Sequence, residues 1–215
     1  MRLKNREHAA ELLVERLTPN YKNKNPLVLG IPRGAVPMAK IIADGLAGEL
    51  DVVLVHKLGH PDQPELAIGA VDEEGNVFVS EWAADLDPEF LERERRRQLE
   101  VLRRRRANYT PLRAPIDPRG RIVIVVDDGI ATGSTMIAAL RAVRAKRPKK
   151  LIAAVAVAST EAARAMLREC DEMVALKIPA EFYAVGQFFD DFGQVSDEEV
   201  ITTLKQGQRK IAANG

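Results

Sequence analysis

The chain has 215 residues, which is enough for one α/β domain with a substantial core. It is 46% hydrophobic with a formal net charge of +1, which excludes disorder as its main character and favours neither nucleic acid nor a membrane surface as a partner. Its one cysteine, Cys170, has no internal disulfide partner, which fits a reducing cytoplasm. The sequence has no internal repeat, no apolar run of membrane-spanning length and no signal-peptide apolar core in residues 1–8.

Helical and extended segments alternate along the chain. Helices are predicted where apolar residues recur every three or four positions, and buried strands where short β-branched runs occur. The predicted helices cover residues 7–17, 35–46, 87–108, 136–146 and 159–168. The predicted strands cover residues 27–29, 52–55, 66–71, 77–80, 122–126, 151–158 and 173–176. Composition predicts loops at 18–26 and 59–64, and we expect the second loop to be mobile.

This alternation predicts an α/β fold with a mostly parallel sheet covered by helices on both faces. The strands 66–71 and 77–80 flank Asp-Glu-Glu-Gly-Asn and predict a hairpin. In parallel sheets, ligands bind beyond the carboxyl ends of the strands. Gly30, Lys57 and Asp127 each lie at the predicted end of a strand, so we expect them to converge on one crevice.

The most specific signal is the segment 122–135, which reads Ile-Val-Ile-Val-Val-Asp-Asp-Gly-Ile-Ala-Thr-Gly-Ser-Thr. Its apolar run predicts a buried strand ending in Asp127 and Asp128, and small and hydroxyl residues then lead into a helix. Backbone N–H groups at a helix N-terminus and hydroxyl groups bind phosphate. Carboxylates accept hydrogen bonds from sugar hydroxyls, or bind Mg2+ directly or through water. The segment therefore predicts a sugar-phosphate site.

Three other interpretations of this segment are weaker. A receiver domain carries its acid pair near its start, whereas over a hundred residues precede the pair here. A Walker-type ATPase needs an upstream G-x-x-x-x-G-K-[ST] motif, which this sequence lacks. An acid pair that only caps a turn does not need the ordered loop that follows.

The segment resembles the phosphoribosyl-pyrophosphate (PRPP) signature of the type I phosphoribosyltransferases, except that the family usually carries an aliphatic residue at Gly129. The whole chain resembles a bacterial group of predicted phosphoribosyltransferases in its opening helix, Gly-Ile-Pro-Arg-Gly, Pro-Glu-Leu-Ala-Ile-Gly-Ala-Val and the late Ala-Val-Gly…Asp-Phe. The resemblance implies the type I fold with a small hood, and a homodimer. It also implies Mg2+-dependent transfer of ribose 5-phosphate from PRPP to a nitrogenous acceptor, with release of pyrophosphate.

The resemblance also implies roles for individual residues. Asp127 and Asp128 are expected to hold the ribose hydroxyls and help order Mg2+. Lys57 matches a basic residue that ends the second core strand, before a mobile loop. His60 in that loop either reaches the pyrophosphate on closure or is solvated. The 5′-phosphate loop is Ala131, Thr132, Gly133, Ser134 and Thr135, and the pyrophosphate turn, which commonly holds a non-proline cis peptide in the family, is Ile31, Pro32, Arg33 and Gly34.

Acceptor choice is expected to depend on a C-terminal hood, residues 179–215, to which the N-terminal helix can also contribute. Its aromatic residues either stack on a flat acceptor ring or pack in the core. Enzymes that act on 6-oxopurines carry an aspartate where this chain has Ala131, which argues against hypoxanthine or guanine as acceptor. The aromatic candidates are Phe182, Tyr183, Phe188 and Phe189.

Residues 87–108 are an arginine-rich insertion in what is otherwise one predicted domain, 1–215. Their i,i+4 Glu–Arg pairs predict a solvated helix, and the lack of interleaved aromatics disfavours RNA binding. Phosphate steering or an acidic partner stays open for this helix. For the whole chain, the alternatives to a transferase are a non-catalytic PRPP sensor, possibly bound to nucleic acid, and a nucleotide hydrolase or phosphorylase. Lys57 and its loop favour catalysis.

Overall fold

The computed structural model describes residues 2–62, 67–79, 86–111 and 114–213. Six α-helices and eight strands lie within these ranges. The helices are α1 Arg6–Tyr21, α2 Ala35–Leu46, α3 Pro88–Tyr109, α4 Ser134–Ala145, α5 Thr160–Met166 and α6 Asp197–Ala213, with a short 3-10 helix at Val185–Phe188. The strands are β1 Leu27–Gly30, β2 Glu49–Val52, β3 Val55–Gly59, β4 Ala67–Asp72, β5 Val77–Val79, β6 Ile122–Ile130, β7 Lys150–Ala158 and β8 Glu172–Lys177.

Five of these strands form one parallel sheet in the order β2-β1-β6-β7-β8. Consecutive residues of its central strands are buried on opposite faces. Val123 and Val125 of β6 pack with α4 and α5, whereas Ile124 and Val126 pack with α1, α2 and α6. A strand covered on both faces is apolar at every position, which is why the run 122–126 reads as continuous. The predicted α/β class, with a parallel sheet covered on both faces, is confirmed.

The second sheet is antiparallel, with the order β3-β4-β5. The predicted hairpin between β4 and β5 is confirmed for the described residues, with Gly69 opposite Val79. The predicted strand at 52–55 is wrong, because β2 ends at Val52 in the parallel sheet and β3 begins at Val55 in the antiparallel one. The apolar run crosses this junction without interruption, so hydrophobicity alone did not mark it.

The loop predicted at 18–26 begins later than expected, because α1 continues through Pro19 to Tyr21. Tyr21 is buried, and its hydroxyl donates a hydrogen bond of 2.5 Å to Glu172. Lys150 Nζ lies 2.6 Å from the same hydroxyl. These long-range contacts stabilise the last helical turn despite the proline. The loop at 59–64 lies only partly within the described residues, because 63–66 fall outside them.

The predicted arginine-rich helix is confirmed as α3, and Asp87 caps its N-terminus by accepting from the Glu89 N–H at 3.0 Å. The predicted Glu–Arg pairs along its exposed side are present, the shortest being Arg96 to Glu92 at 2.8 Å. Arg106 differs from the exposed arginines of this helix because its side chain is only 11% exposed. It pairs with Asp51 at 2.9 Å and with Glu73 at 2.5 Å, and so attaches α3 to both sheets.

The C-terminal helix α6 follows the 3-10 helix and packs on α2 through Val200 and Leu204. The sequence patterns assigned this region to the hood without predicting a helix there. Among the described residues, no helix combines the length and apolar character needed to cross a membrane.

Candidate functional site

The two carboxylates lie in β6, which extends four residues beyond the predicted end. Asp127 pairs with Val155 of β7, and its Oδ1 accepts a hydrogen bond of 2.9 Å from the Asp128 N–H. Burial, and then the neighbouring charge of Asp128, raise the pKa of Asp127 well above its ordinary value. Two adjacent half-buried carboxylates therefore favour a site that receives a positive charge or hydrogen-bond donors.

The turn 31–34 meets these carboxylates at the same edge of the sheet. Gly30 lies beside Val126, whose carbonyl accepts from the Ile31 N–H at 3.0 Å, so the expected convergence of Gly30 with Asp127 is confirmed. The Pro32–Arg33 peptide bond is cis, as the family resemblance implied. A methyl carbon on Gly34 would overlap the Oδ2 atom of Asp128. The turn thus approaches Asp128 closely because residue 34 has no side chain.

The loop 131–135 connects β6 to α4. Gly133 has φ of 78°, a left-handed conformation that suits glycine, and no side-chain hydrogen bond caps α4 at this residue. The Thr132 and Ser134 hydroxyls lie 3.2 Å apart, and Ala131, Thr132 and Thr135 are exposed. Accessible hydroxyls therefore flank a helix N-terminus whose first N–H groups can bind an anion.

Ser159 supports this loop, and the sequence patterns did not single it out. Its hydroxyl donates to the Ala131 carbonyl at 2.6 Å and accepts from the Ala162 N–H at 3.0 Å, which caps α5. Ser-Thr-Glu after a strand is a recognisable helix start, so the cap was detectable from sequence. The contact with Ala131 was not detectable from sequence, because it joins the loop after β6 to the loop after β7.

Arg6 is the second residue that sequence patterns missed. Its Nε donates to Asp128 Oδ2 at 2.7 Å, and its Nη1 donates to the Gly193 carbonyl at 2.5 Å. The centre of its guanidinium lies 3.8 Å from the ring centroid of Phe192, in cation–π geometry. The Arg6 and Asp128 side chains are only 16% and 14% exposed. No local pattern links residues that lie 122 positions apart.

Lys57 is not where the strand pattern placed it. It lies inside β3 of the antiparallel sheet, opposite Ala70, and not at the carboxyl end of a parallel strand. The expectation that Lys57 ends a parallel strand is therefore wrong. The role of Lys57 in the reaction stays a prediction. His60 Nδ1 accepts from the Asp62 N–H at 3.2 Å, within the described part of the loop.

Arg33, in the turn 31–34, is exposed, and its Nη1 lies 4.0 Å from an Asp197 carboxylate oxygen at the start of α6. The same carboxylate accepts from the Tyr109 hydroxyl at 2.5 Å. The guanidinium of Arg33 is therefore accessible from solvent beside the turn.

The region predicted as the hood pairs with the N-terminal segment. Residues 3–4 pair with 188–191 through backbone hydrogen bonds, including Leu3 N–H to Phe188 O at 2.9 Å. Of the two alternatives for these aromatics, Phe189 takes core packing and not stacking on an acceptor, because its ring is 1% exposed. Phe182 and Phe188 pack on one another at 5.3 Å, whereas Tyr183 is 83% exposed. Tyr183 is thus the hood aromatic that is open to a flat ring.

Gly129 has a structural explanation. A methyl carbon there would overlap Val185 of the 3-10 helix. The missing side chain lets the hood approach β6 directly beside the carboxylates. Glycine at position 129, where the family usually has an aliphatic residue, is therefore matched by Val185, which fills the space.

Comparisons with known proteins agree with this geometry. A model of the phosphoribosyl transferase domain matches residues 2–188. Two relatives, each named "Putative phosphoribosyl transferase" and from two strains of Mycobacterium tuberculosis, are 39% identical over 213 residues, covering 98% of this chain. The alignment covers 48% of those relatives, so this chain spans about half their length.

Among solved structures, TT1426 from Thermus thermophilus matches with a TM-score of 0.87 and 45% identity. The match covers 96% of this chain and 99% of that chain. Its fold therefore agrees with that of this chain over nearly their whole lengths. The chain belongs to the phosphoribosyl transferase domain family.

Proposed function

We propose that this chain binds PRPP with Mg2+ and transfers its ribose 5-phosphate group to a nitrogenous acceptor, releasing pyrophosphate. The observation that carries the proposal is the meeting of three elements at the carboxyl edge of β1 and β6. These are the turn 31–34, the acids Asp127 and Asp128, and the loop 131–135. In PRPP the ribose lies between the pyrophosphate and the 5′-phosphate. The acid pair likewise comes between the turn 31–34 and the loop 131–135, which are the two proposed phosphate sites. A homodimer in the cytoplasm is part of the same proposal, from the family resemblance.

Each element offers the chemistry that its part of PRPP requires. The start of α4 and the hydroxyls of Thr132, Ser134 and Thr135 would bind the 5′-phosphate. Asp127 and Asp128 would accept hydrogen bonds from the ribose hydroxyls. The backbone of 31–34 and the Arg33 guanidinium would hold the pyrophosphate.

The donor set also fits Mg2+. The metal prefers oxygen ligands, keeps several waters and is commonly bound by one or two carboxylates with substrate phosphates. The described residues contain no group of three or more His, Cys, Asp or Glu side chains arranged for a metal. Asp127 and Asp128 would therefore hold Mg2+ together with PRPP oxygens and water. When bound, Mg2+ would offset the negative charge of the pyrophosphate.

In the proposed reaction, the bond between ribose C1 and the pyrophosphate oxygen breaks as the acceptor nitrogen forms a bond to C1. The transition state is oxocarbenium-like, so catalysis depends on positioning and charge stabilisation. Pyrophosphate leaves with the electron pair of the broken bond, and a proton carried by the reacting nitrogen is released to water. Lys57 stays a candidate for stabilising that leaving group, from the family resemblance.

The acceptor would bind on the hood beyond Val185, because Val185 itself packs directly on Gly129. Val185 fills the space that an aliphatic residue occupies in other members, and Tyr183 offers an exposed ring for stacking. Ala131 has no carboxylate to contact the acceptor. We therefore propose an acceptor other than hypoxanthine or guanine.

The test is pyrophosphate release from PRPP and Mg2+ with a panel of purines, pyrimidines, nicotinate and simple amines, run beside Asp128→Asn. Release that depends on one acceptor, and falls at least about a hundredfold in the variant, is the expected result. PRPP binding without release from any acceptor would favour the non-catalytic sensor. Release without acceptor, with ribose 5-phosphate as product, would favour a hydrolase.

Ser159→Ala is expected to weaken PRPP binding several-fold and to lower the free energy of unfolding by about 1 kcal/mol, because it removes both the α5 cap and the support of the phosphate loop. Calorimetric titration with PRPP and chemical denaturation measure the two effects. The matched control is Ser196→Ala, whose hydroxyl accepts from the Glu199 N–H at 3.1 Å at the start of α6. The control should lose similar stability and retain its PRPP affinity. Equal affinities in all three proteins would contradict a role for Ser159 in the loop.

A further inference from the structure

Arg6 connects Asp128, a carboxylate proposed to bind PRPP, to the hood. It comes from the first turn of α1, contacts Asp128 with its Nε and contacts the Gly193 carbonyl with its Nη1. Phe192 covers the face of its guanidinium. The side chain is therefore fixed by three separate contacts, and its planar group has little freedom to rotate.

The contact is arranged so that it orients Asp128. Because Gly34 has no side chain, Asp128 Oδ2 can lie close to both the turn 31–34 and Arg6. Arg6 occupies Oδ2 alone, and the Asp127 carboxylate accepts from the Asp128 N–H. The hydrogen bond from Arg6 thus sets the rotation of the Asp128 carboxylate. Arg6 contacts Oδ2 and does not use the second oxygen of that carboxylate, Oδ1.

Arg6 also supplies positive charge beside two adjacent carboxylates. Asp127 and Asp128 follow one another in β6 and are partly buried, so their charges repel in a weakly screened environment. An arginine stays ionised at all physiological pH values and offers a rigid fork to carboxylates. Part of the charge compensation that these acids need is therefore present before any metal or substrate binds.

We propose that Arg6 is a positioning residue for PRPP, which holds Asp128 in the orientation that accepts the ribose hydroxyls and lowers the demand of the carboxylate pair for Mg2+. This inference rests on the proposed function and extends it. The N-terminal segment is then part of the substrate site, because its pairing with the hood places α1 where Arg6 reaches Asp128. No contact between Arg6 and PRPP itself is required.

The first test is calorimetric titration of Arg6→Ala and the wild-type chain with PRPP over a series of Mg2+ concentrations. The variant should bind PRPP about ten- to a hundredfold more weakly, as expected for loss of a charged hydrogen bond. Its affinity should also rise more steeply with Mg2+ than that of the wild type. Arg6→Lys, which keeps the charge but loses the planar fork, should lie between the two.

Chemical rescue separates positioning from a general effect on folding. Arg6 lines an open cavity of about 420 Å3 that also contacts Asn5, Lys40 and Glu199. Truncation to alanine would connect the space left by the guanidinium to this cavity. Millimolar guanidinium should then restore PRPP affinity to Arg6→Ala, whereas equal concentrations of tetramethylammonium should not. Thermal melting of each variant establishes that the folded protein is being compared.

Distinct results would overturn the inference. Unchanged PRPP affinity and Mg2+ dependence in folded Arg6→Ala would show that Arg6 only supports the hood. Tighter binding would show that Arg6 competes with ribose for Asp128. Weaker binding that guanidinium does not rescue and Mg2+ does not modulate would reduce Arg6 to a structural residue. Failure of the wild-type chain itself to bind PRPP would instead contradict the proposed function.

Discussion

Replacing Arg106 with methionine is expected to lower the free energy of unfolding by about 3–5 kcal/mol, because it removes a guanidinium that pairs with two carboxylates shielded from solvent. Asp51 is 1% exposed, and Glu73 is held by the same guanidinium. Arg106 also donates to the Val52 carbonyl at 3.0 Å, at the junction of the two sheets. Chemical denaturation followed by circular dichroism measures the change.

The matched control is Arg104→Met on the same helix. Arg104 is exposed and lies 3.6 Å from Glu100, so its loss should change the free energy of unfolding by less than about 1 kcal/mol. Adding Glu73→Gln to Arg106→Met should recover part of the lost stability, because it removes a carboxylate charge that Arg106 neutralises. Equal stabilities of the Arg106 and Arg104 variants would contradict the anchoring role of Arg106.

Gly34→Ala is expected to weaken PRPP binding by at least about a hundredfold, because its methyl group would overlap Asp128 Oδ2. Either the turn 31–34 must withdraw or Asp128 must rotate away from Arg6. Both movements separate groups that are proposed to bind neighbouring parts of PRPP. Calorimetric titration with PRPP in Mg2+ measures the loss.

Gly120→Ala is the control for this substitution. Gly120 lies in a surface turn, with no heavy atom within 4 Å of an added methyl carbon and a φ of 69°. Its replacement should cost about 1–2 kcal/mol of stability through the left-handed backbone, with PRPP affinity unchanged. Wild-type affinity in Gly34→Ala would show that the close approach of the turn to Asp128 does not matter for binding.

The features that sequence predicted are those encoded by contiguous residues. The strand, acid pair, loop and helix of 122–146 follow one another along the chain, so a local pattern specifies them together. The parallel sheet followed from the same alternation of short apolar runs and helices. The turn 31–34 was found by its glycines and its position after a strand.

The features that sequence missed depend on contacts between distant residues. Arg6 and Ser159 contact the candidate loops from separate elements, and neither has a local signature for that contact. Lys57 was misplaced because an uninterrupted apolar run hid the change from one sheet to the other. The reason for Gly129 was hidden in the same way, because Val185, which packs against it, lies far along the chain.

The most direct measurement is a crystal structure of the chain with PRPP and Mg2+. We expect the 5′-phosphate on the N–H groups of 131–135, the ribose hydroxyls on Asp127 and Asp128, and the pyrophosphate at 31–34. Arg6 should still contact Asp128 in that complex. PRPP bound elsewhere, or bound with its phosphates away from both loops, would contradict the proposed site.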